Sequence, residues 1–209
     1  MKTYARALLR TAVALAGITL VSGGCARQVT RLNPEQAIDL SGRWNDVVSR
    51  LVADTLIRQS FQSPAGAGWA ARYAQANAGR QPTVIVGTIR NRTLEQIPTG
   101  TFVRDLERAY LGSGQVRVVA SPEERQEVRD ERDDQQENAS ADTRARLVRE
   151  QGANYMLQGD IQAIEDREGR RSVMFYQVDL TLVDLETNAK TWVGQHKIKK
   201  YVERPRIRF

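Results

Sequence analysis

The sequence predicts an α/β chain of the α+β-like kind, with a single mixed, largely antiparallel sheet of about five strands flanked by helices. Three observations carry this. Two short β-branched runs, 83–89 and 116–119, alternate with segments of helical period. Beyond Gly152 the apolar period changes to strict alternation and stays so as far as Tyr201. The composition is 41% apolar and 27% charged, with only 15 Gly and 6 Pro, which excludes a disordered, collagen-like or polytopic membrane chain.

The elements follow in order. Over 41–60, Trp44, Val47, Val48, Leu51, Val52 and Leu56 form one helical stripe. The Ala/Gly-rich stretch 62–82 has room for a short helix around Trp69–Ala76. Thr83–Ile89 (TVIVGTI) is a buried strand that ends at Asn91. Thr99–Leu111 is a helix with Phe102, Leu106 and Tyr110 on one face, Thr99 or Thr101 as its cap and Gly112 as its stop. Val116–Val119 is a second strand. Ser121, Pro122 and Glu124 form a capping box with proline in the first turn, and the helix behind them is almost wholly charged. Asp142–Gln151 is expected to be a further helix, stopped by Gly152. Tyr155–Ile164, Val173–Val183 and Thr191–Tyr201 then form an antiparallel meander, turning at Glu168-Gly169 and Thr187-Asn188.

The N-terminus reads as an export signal. Lys2, Arg6 and Arg10 precede an apolar run from Thr11 to Val21, short of the roughly 20 residues of a membrane span. Small residues Ser22, Gly23 and Gly24 follow, and then Cys25, the only cysteine of the chain. The arrangement resembles a bacterial lipobox, although Ser22 stands where leucine is typical. The expected organisation is a lipoprotein signal peptide over 1–24, a lipidated Cys25 with a short tether over 25–38, and one globular domain over 39–209. Ala26, where an inner-membrane retention signal often has aspartate, favours the outer membrane. Removing 1–24 lowers the formal charge of +6 by three, so half of the basic balance belongs to export. Acyl chains hold a protein on a membrane at about 0.8 kcal/mol per buried CH₂.

Little in the chain has the form of chemistry. One cysteine excludes an internal disulfide framework, and one histidine with one cysteine excludes a clustered zinc site. Gly112-Ser113-Gly114 follows a helix and precedes a strand, the reverse of a phosphate loop, so it reads as a helix cap. His196 sits mid-strand beside Trp192 and Ile198 and reads as packed. Residues 121–150 hold ten acids and six arginines, a solvated face or an acidic docking surface, without the ligand order of a calcium loop. Residues 190–209 hold seven Lys/Arg against Glu203; Lys197, Lys199 and Lys200 suit either protection of a sheet edge or contact with a partner or anionic surface. No catalytic, cofactor-binding or metal-binding residue is assigned, and export argues against nucleic acid as a partner.

Four segments together resemble the LpoB family of lipoprotein activators of bifunctional penicillin-binding proteins. They are RQPTVIVGTIRNRTLEQIPTG (Arg80–Gly100), FVRDLERAYLGSGQVRVV (Phe102–Val119), REQGANYMLQGDIQAI (Arg149–Ile164) and VDLTLVDLETNAKTWVGQHKIKK (Val178–Lys200). The resemblance runs over roughly Asp39–Lys200 and rests on the order and spacing of these segments with the lipobox. It implies a fold similar to the TolB N-terminal domain and a protein that is not an enzyme. It further implies an outer-membrane, lipid-anchored position facing the periplasm, where the protein would bind the docking region of a penicillin-binding protein and stimulate peptidoglycan synthesis. The domain is expected to act as a monomer, and the resemblance maps no partner-binding residue. Well-known members carry a long tether; the residues between Cys25 and Asp39 here reach only ~45 Å. The other class left open is a structural or secretion-associated outer-membrane lipoprotein, with a domain like those of TolB and curli secretion.

Overall fold

The computed structural model describes residues 31–33, 36, 38–63, 67–146 and 149–204. The signal peptide over 1–24 and Cys25 lie outside the described residues, as does most of the tether. Helix α1 (Asp46–Phe61) begins where Asn45 Oδ1 accepts the N–H of Val48 at 3.0 Å, with Asp46 in the first turn and Arg58 in the last. Its buried stripe is Val48, Val52, Leu56 and Ile57, together with Ala53, Ser49 and Ser60. The predicted stripe included Leu51, which is 54% exposed. The helix is rotated so that two serines face inward instead. Ser60 Oγ donates to its own helix at Ile57 O, and Ser49 Oγ donates to Asp105, so neither buried hydroxyl is left unsatisfied. Helix α2 (Trp69–Ala76) is the short helix expected. Its Trp69 stacks on Phe61 and meets Tyr155 edge-on, with centroids 5.8 and 5.0 Å apart.

Strand β1 (Thr83–Asn91) leads to helix α3 (Thr99–Ser113), which buries Phe102, Asp105, Leu106 and Tyr110. Pro98, and neither threonine, occupies the N-cap, and no side chain caps that end. The helix also passes Gly112. Gly114 ends it in the left-handed region at φ 64°, where a Cβ is costly. Strand β2 is only Arg117–Val118, because Ser121 begins the next cap three residues on.

Helix α4 (Pro122–Asn138) carries the predicted capping box: Ser121 Oγ accepts the Glu124 N–H at 3.3 Å and Glu124 Oε2 accepts the Ser121 N–H at 2.9 Å. The helix expected over Asp142–Gln151 is absent from its described residues, which form a turn and irregular chain. The cause is competition for backbone groups. Gln135 and Gln136 of α4 take the N–H and the carbonyl of Ala145, at 3.0 and 2.9 Å, while Ser140 and Thr143 close a local turn.

Strands β3 (Tyr155–Glu168), β4 (Arg171–Asp184) and β5 (Lys190–Glu203) form the meander, longer than predicted at both hairpins. Gly169 and Asn188 turn the chain with φ of 56° and 59°. Asp184 Oδ1 supports the second turn by accepting the N–H groups of Glu186 and Thr187. The order across the sheet is β2-β1-β3-β4-β5, parallel at β2/β1 and β1/β3 and antiparallel beyond. The fold class is therefore as the sequence predicts: among the described residues, one five-stranded mixed sheet with four helices.

Alternation along the meander divides the sheet. Tyr155, Leu157 and Ile161 of β3 share an inner face with Met174, Tyr176, Val178, Leu180 and Leu182 of β4. Helices α1 and α3 pack on that side. Trp44, just before α1, locks them to it, meeting Phe102 and Tyr176 edge-on at 5.6 and 5.7 Å.

Candidate docking surface

Ser49 and Asp105, both buried beside the core, are engaged in structure. Ser49 Oγ lies 2.6 Å from Asp105 Oδ2, while Asp105 Oδ1 accepts from Arg108 at 2.9 Å. A serine and an aspartate in contact suggest nucleophilic chemistry only with a base between them; here the acid holds α1 to α3. Glu95 plays a similar part: it accepts from Tyr176 OH at 2.7 Å and from the Trp44 N–H at 3.3 Å. Burial first, and this bond to a carboxylate second, push the Tyr176 hydroxyl well above the usual phenol range. Tyr110 is raised too, by burial. Both hydroxyls stay protonated at physiological pH, and Tyr176 is the donor to Glu95.

The predicted site candidates resolve separately. Gly112-Ser113-Gly114 is the end of α3. His196 is half-buried on the inner side of β5, opposite Val178. Trp192 lies on the same side and covers Gly194, where a Cβ would fall 2.1 Å from the indole. Among the described residues no group of three or more His, Cys, Asp or Glu is arranged to hold a metal ion, and no helix is long and apolar enough to cross a membrane.

The acidic-arginine segment is an arm held by its own charges. No residue of α4 is buried among the described residues. Arg104 of α3 bonds Glu124, and Arg129 grips Glu150 with two bonds of 2.8 Å. The Arg104 bond holds the Glu124 carboxyl below its ordinary range, and the Arg129 bond does the same for Glu150. Part of the predicted acidic surface is thus already neutralised from within.

The outer face of the meander remains. The start of α4 flanks it at β1 and at the beginning of β3, near Ile85, Met156 and Gln158. Over the rest of β3, and over β4 and β5, no described element covers it. The register sets its side chains in rows across three strands. One row is Asp160, Asp179 and Gln195; the next Gln162, Gln177 and Lys197; then Ile164, Phe175 and Lys199; then Asp166, Val173 and Tyr201. Ile164 is 66% and Tyr201 61% exposed, so the last two rows hold an apolar patch bordered by lysines. Asp160 accepts from Arg92 at 2.9 Å, and Asp179 from Gln177 and Gln195 at 2.7 and 2.8 Å. Lys197 and Lys199 are exposed and have no ion-pair partner among the described residues. Lys200, grouped with them in the sequence, points the other way: its Nζ binds Asp39 at 2.6 Å and Arg43 O at 3.0 Å, stapling the start of the domain to β5.

Sequence reading reached the lysines but missed the rows, because the partners of a row lie in three separate strands. It also missed the loop after β1. There Asn91 accepts from Thr93 and donates to Glu95 O at 2.6 Å, holding Leu94 fully in solvent. Asn91, which the sequence marks as the end of the strand, was the only signal for it.

The chain is thus an α/β domain with one packed sheet face and one bare, mixed face. The comparisons are specific. Residues 49–198 match the model of the family described as "Peptidoglycan-synthase activator LpoB", and the chain belongs to that family. Among solved structures, the LpoB C-terminal domain from Escherichia coli is 13% identical, covering 73% of this chain and 98% of that one at a TM-score of 0.43. The same domain from Salmonella enterica is 14% identical, covering 71% and 96% at 0.37. Lipoprotein GNA1162 from Neisseria meningitidis is 17% identical, covering 57% and 83% at 0.36. Among curated proteins none matches the chain.

Proposed function

We propose that this chain is an outer-membrane lipoprotein, anchored through Cys25 and facing the periplasm, that binds the docking region of a bifunctional penicillin-binding protein and raises its synthesis of peptidoglycan. The observation that carries the reading is the family match over residues 49–198. The uncovered sheet face supports it, since an activator needs a surface for a protein and no reaction centre. Activation is a matter of differential binding. The lipoprotein must favour the synthase's active conformation over its resting one, because equal affinity for both shifts nothing. The protein acts as a monomer, and the tether of ~45 Å requires the synthase's docking region to extend toward the anchor.

Two experiments test this. The full chain, solubilised in detergent, is used to capture partners from the membranes of the same cell. Recovery of a bifunctional penicillin-binding protein is expected, and its absence from the captured set counts against the reading. Cys25→Ser is expected to move the chain from the membrane fraction to the soluble periplasm; a variant that stays membrane-bound excludes the lipid anchor.

A further inference from the structure

The sheet ends on β5, and among the described residues no strand lies beyond it. Its free edge is fourteen residues long, against two for β2 at the other side. Such an edge is a template for another strand.

The register shows which residues present it. Just past the end of β5, the Arg204 N–H donates to Arg170 O at 3.0 Å. From Arg171↔Glu203 to Leu182↔Trp192 the pairing of β4 with β5 is unbroken. Backbone groups in an antiparallel pair alternate between the neighbour and the open side. Those of His196, Ile198 and Lys200 therefore face β4, and those of Lys197, Lys199 and Tyr201 face outward. The same three residues carry exposed side chains on the bare face. One short stretch thus offers free backbone donors, two unmatched cations and the border of the apolar patch.

The charge decides what can occupy this edge. A second copy set antiparallel about Ile198 would place Lys197 opposite Lys199 twice, and like charges opposed across strands resist pairing. An acidic extended segment meets the opposite condition: Asp160 and Asp179 on the same face are already hydrogen-bonded, leaving the lysines for an incoming carboxylate. On the inner side the neighbours are His196 and Ile198, both half-buried.

We infer that β5 accepts an extended segment of the partner protein as a sixth strand. Acidic residues at alternate positions of that segment lie beside Lys197 and Lys199, and apolar residues between them lie beside His196 and Ile198. The inference rests on the proposed reading that the partner is a penicillin-binding protein, and gives that partner a recognition chemistry.

The test uses the full chain in detergent and the purified bifunctional penicillin-binding protein of the same cell. Four chains are titrated: wild type, Lys197→Glu/Lys199→Glu, Lys197→Arg/Lys199→Arg and Tyr201→Pro. Charge reversal is expected to raise Kd about tenfold or more, whereas the arginine pair keeps binding. Tyr201→Pro removes an outward N–H that β4 does not use, and it too weakens the complex. Amide hydrogen exchange on the wild-type complex needs no variant: the amides of Lys197, Lys199 and Tyr201 should slow on binding. The inference is overturned if wild type binds while these amides exchange as before, or if the charge-reversed chain binds as tightly. Absence of wild-type binding sinks the parent reading together with this one. A dimer joined through β5, or lysine-dependent binding to anionic phosphatidylglycerol vesicles with the amides still exposed, overturns the choice of occupant.

Discussion

Helices α3 and α4 are nearly equal in length, 15 and 17 residues, yet opposite physics holds each in place. Helix α3 lacks a side-chain N-cap and survives by burying Phe102, Leu106 and Tyr110 against α1 and the sheet. Helix α4 has a full capping box, buries no residue among those described, and is held by Arg104–Glu124 and Arg129–Glu150. A packed helix can do without local signals, whereas an unpacked one needs them together with charge pairs.

The largest effect belongs to the packed side. Leu106 is fully buried, so Leu106→Ala should destabilise the domain by about 2–5 kcal/mol in denaturant unfolding. A loss under about 1 kcal/mol would show that α3 is not central to the core. Next comes the part-buried network of Trp44, Glu95 and Tyr176. Tyr176→Phe leaves Glu95 Oε1 without its donor and should cost about 1–3 kcal/mol. A near-neutral result would mean that water replaces the hydroxyl at no penalty.

Smaller effects belong to the unpacked side and should stay local. Ser121→Ala should cost about 1 kcal/mol, read as faster amide exchange within α4 while the exchange of β3 and β4 is unchanged. A shift of the global unfolding midpoint by as much as Leu106→Ala would erase the contrast between the helices. Acid gives the last case. Glu124 and Glu150 have carboxyls held below their ordinary range by arginine bonds. A depressed acid contributes stability that is complete above its unfolded value and is lost as pH falls through the folded one. Protection factors in α4, which remove the intrinsic pH dependence of exchange, should therefore fall as pH drops from about 5 to about 3, before those of α3 respond. Simultaneous loosening of both helices would contradict this.

The same contrast explains what could be read from the sequence. Period and turn chemistry are local, so the meander, the α3 face and the Ser121 cap were legible, as were both hairpin turns. Gly112 misled because a second glycine two residues on takes the left-handed position. Asp142–Gln151 misled because its helix loses to α4 side chains at Ala145, a tertiary competition that no window of residues contains. Glu95 was silent for a similar reason: its partners Trp44 and Tyr176 lie 51 and 81 residues away. Of the docking surface, the basic excess of the last strand was visible. The separation of Lys200 from Lys197 and Lys199, one side stapled and the other free, required the pleat of β5 beside Asp39.

Activation of a peptidoglycan synthase would show itself in glycan-chain polymerisation. The purified bifunctional penicillin-binding protein polymerises lipid II with and without the full chain in detergent, with Lys197→Glu/Lys199→Glu as a third arm. A faster rate is expected with the wild-type chain and little or no gain with the charge-reversed one. A rate unchanged by saturating wild-type chain would contradict activation.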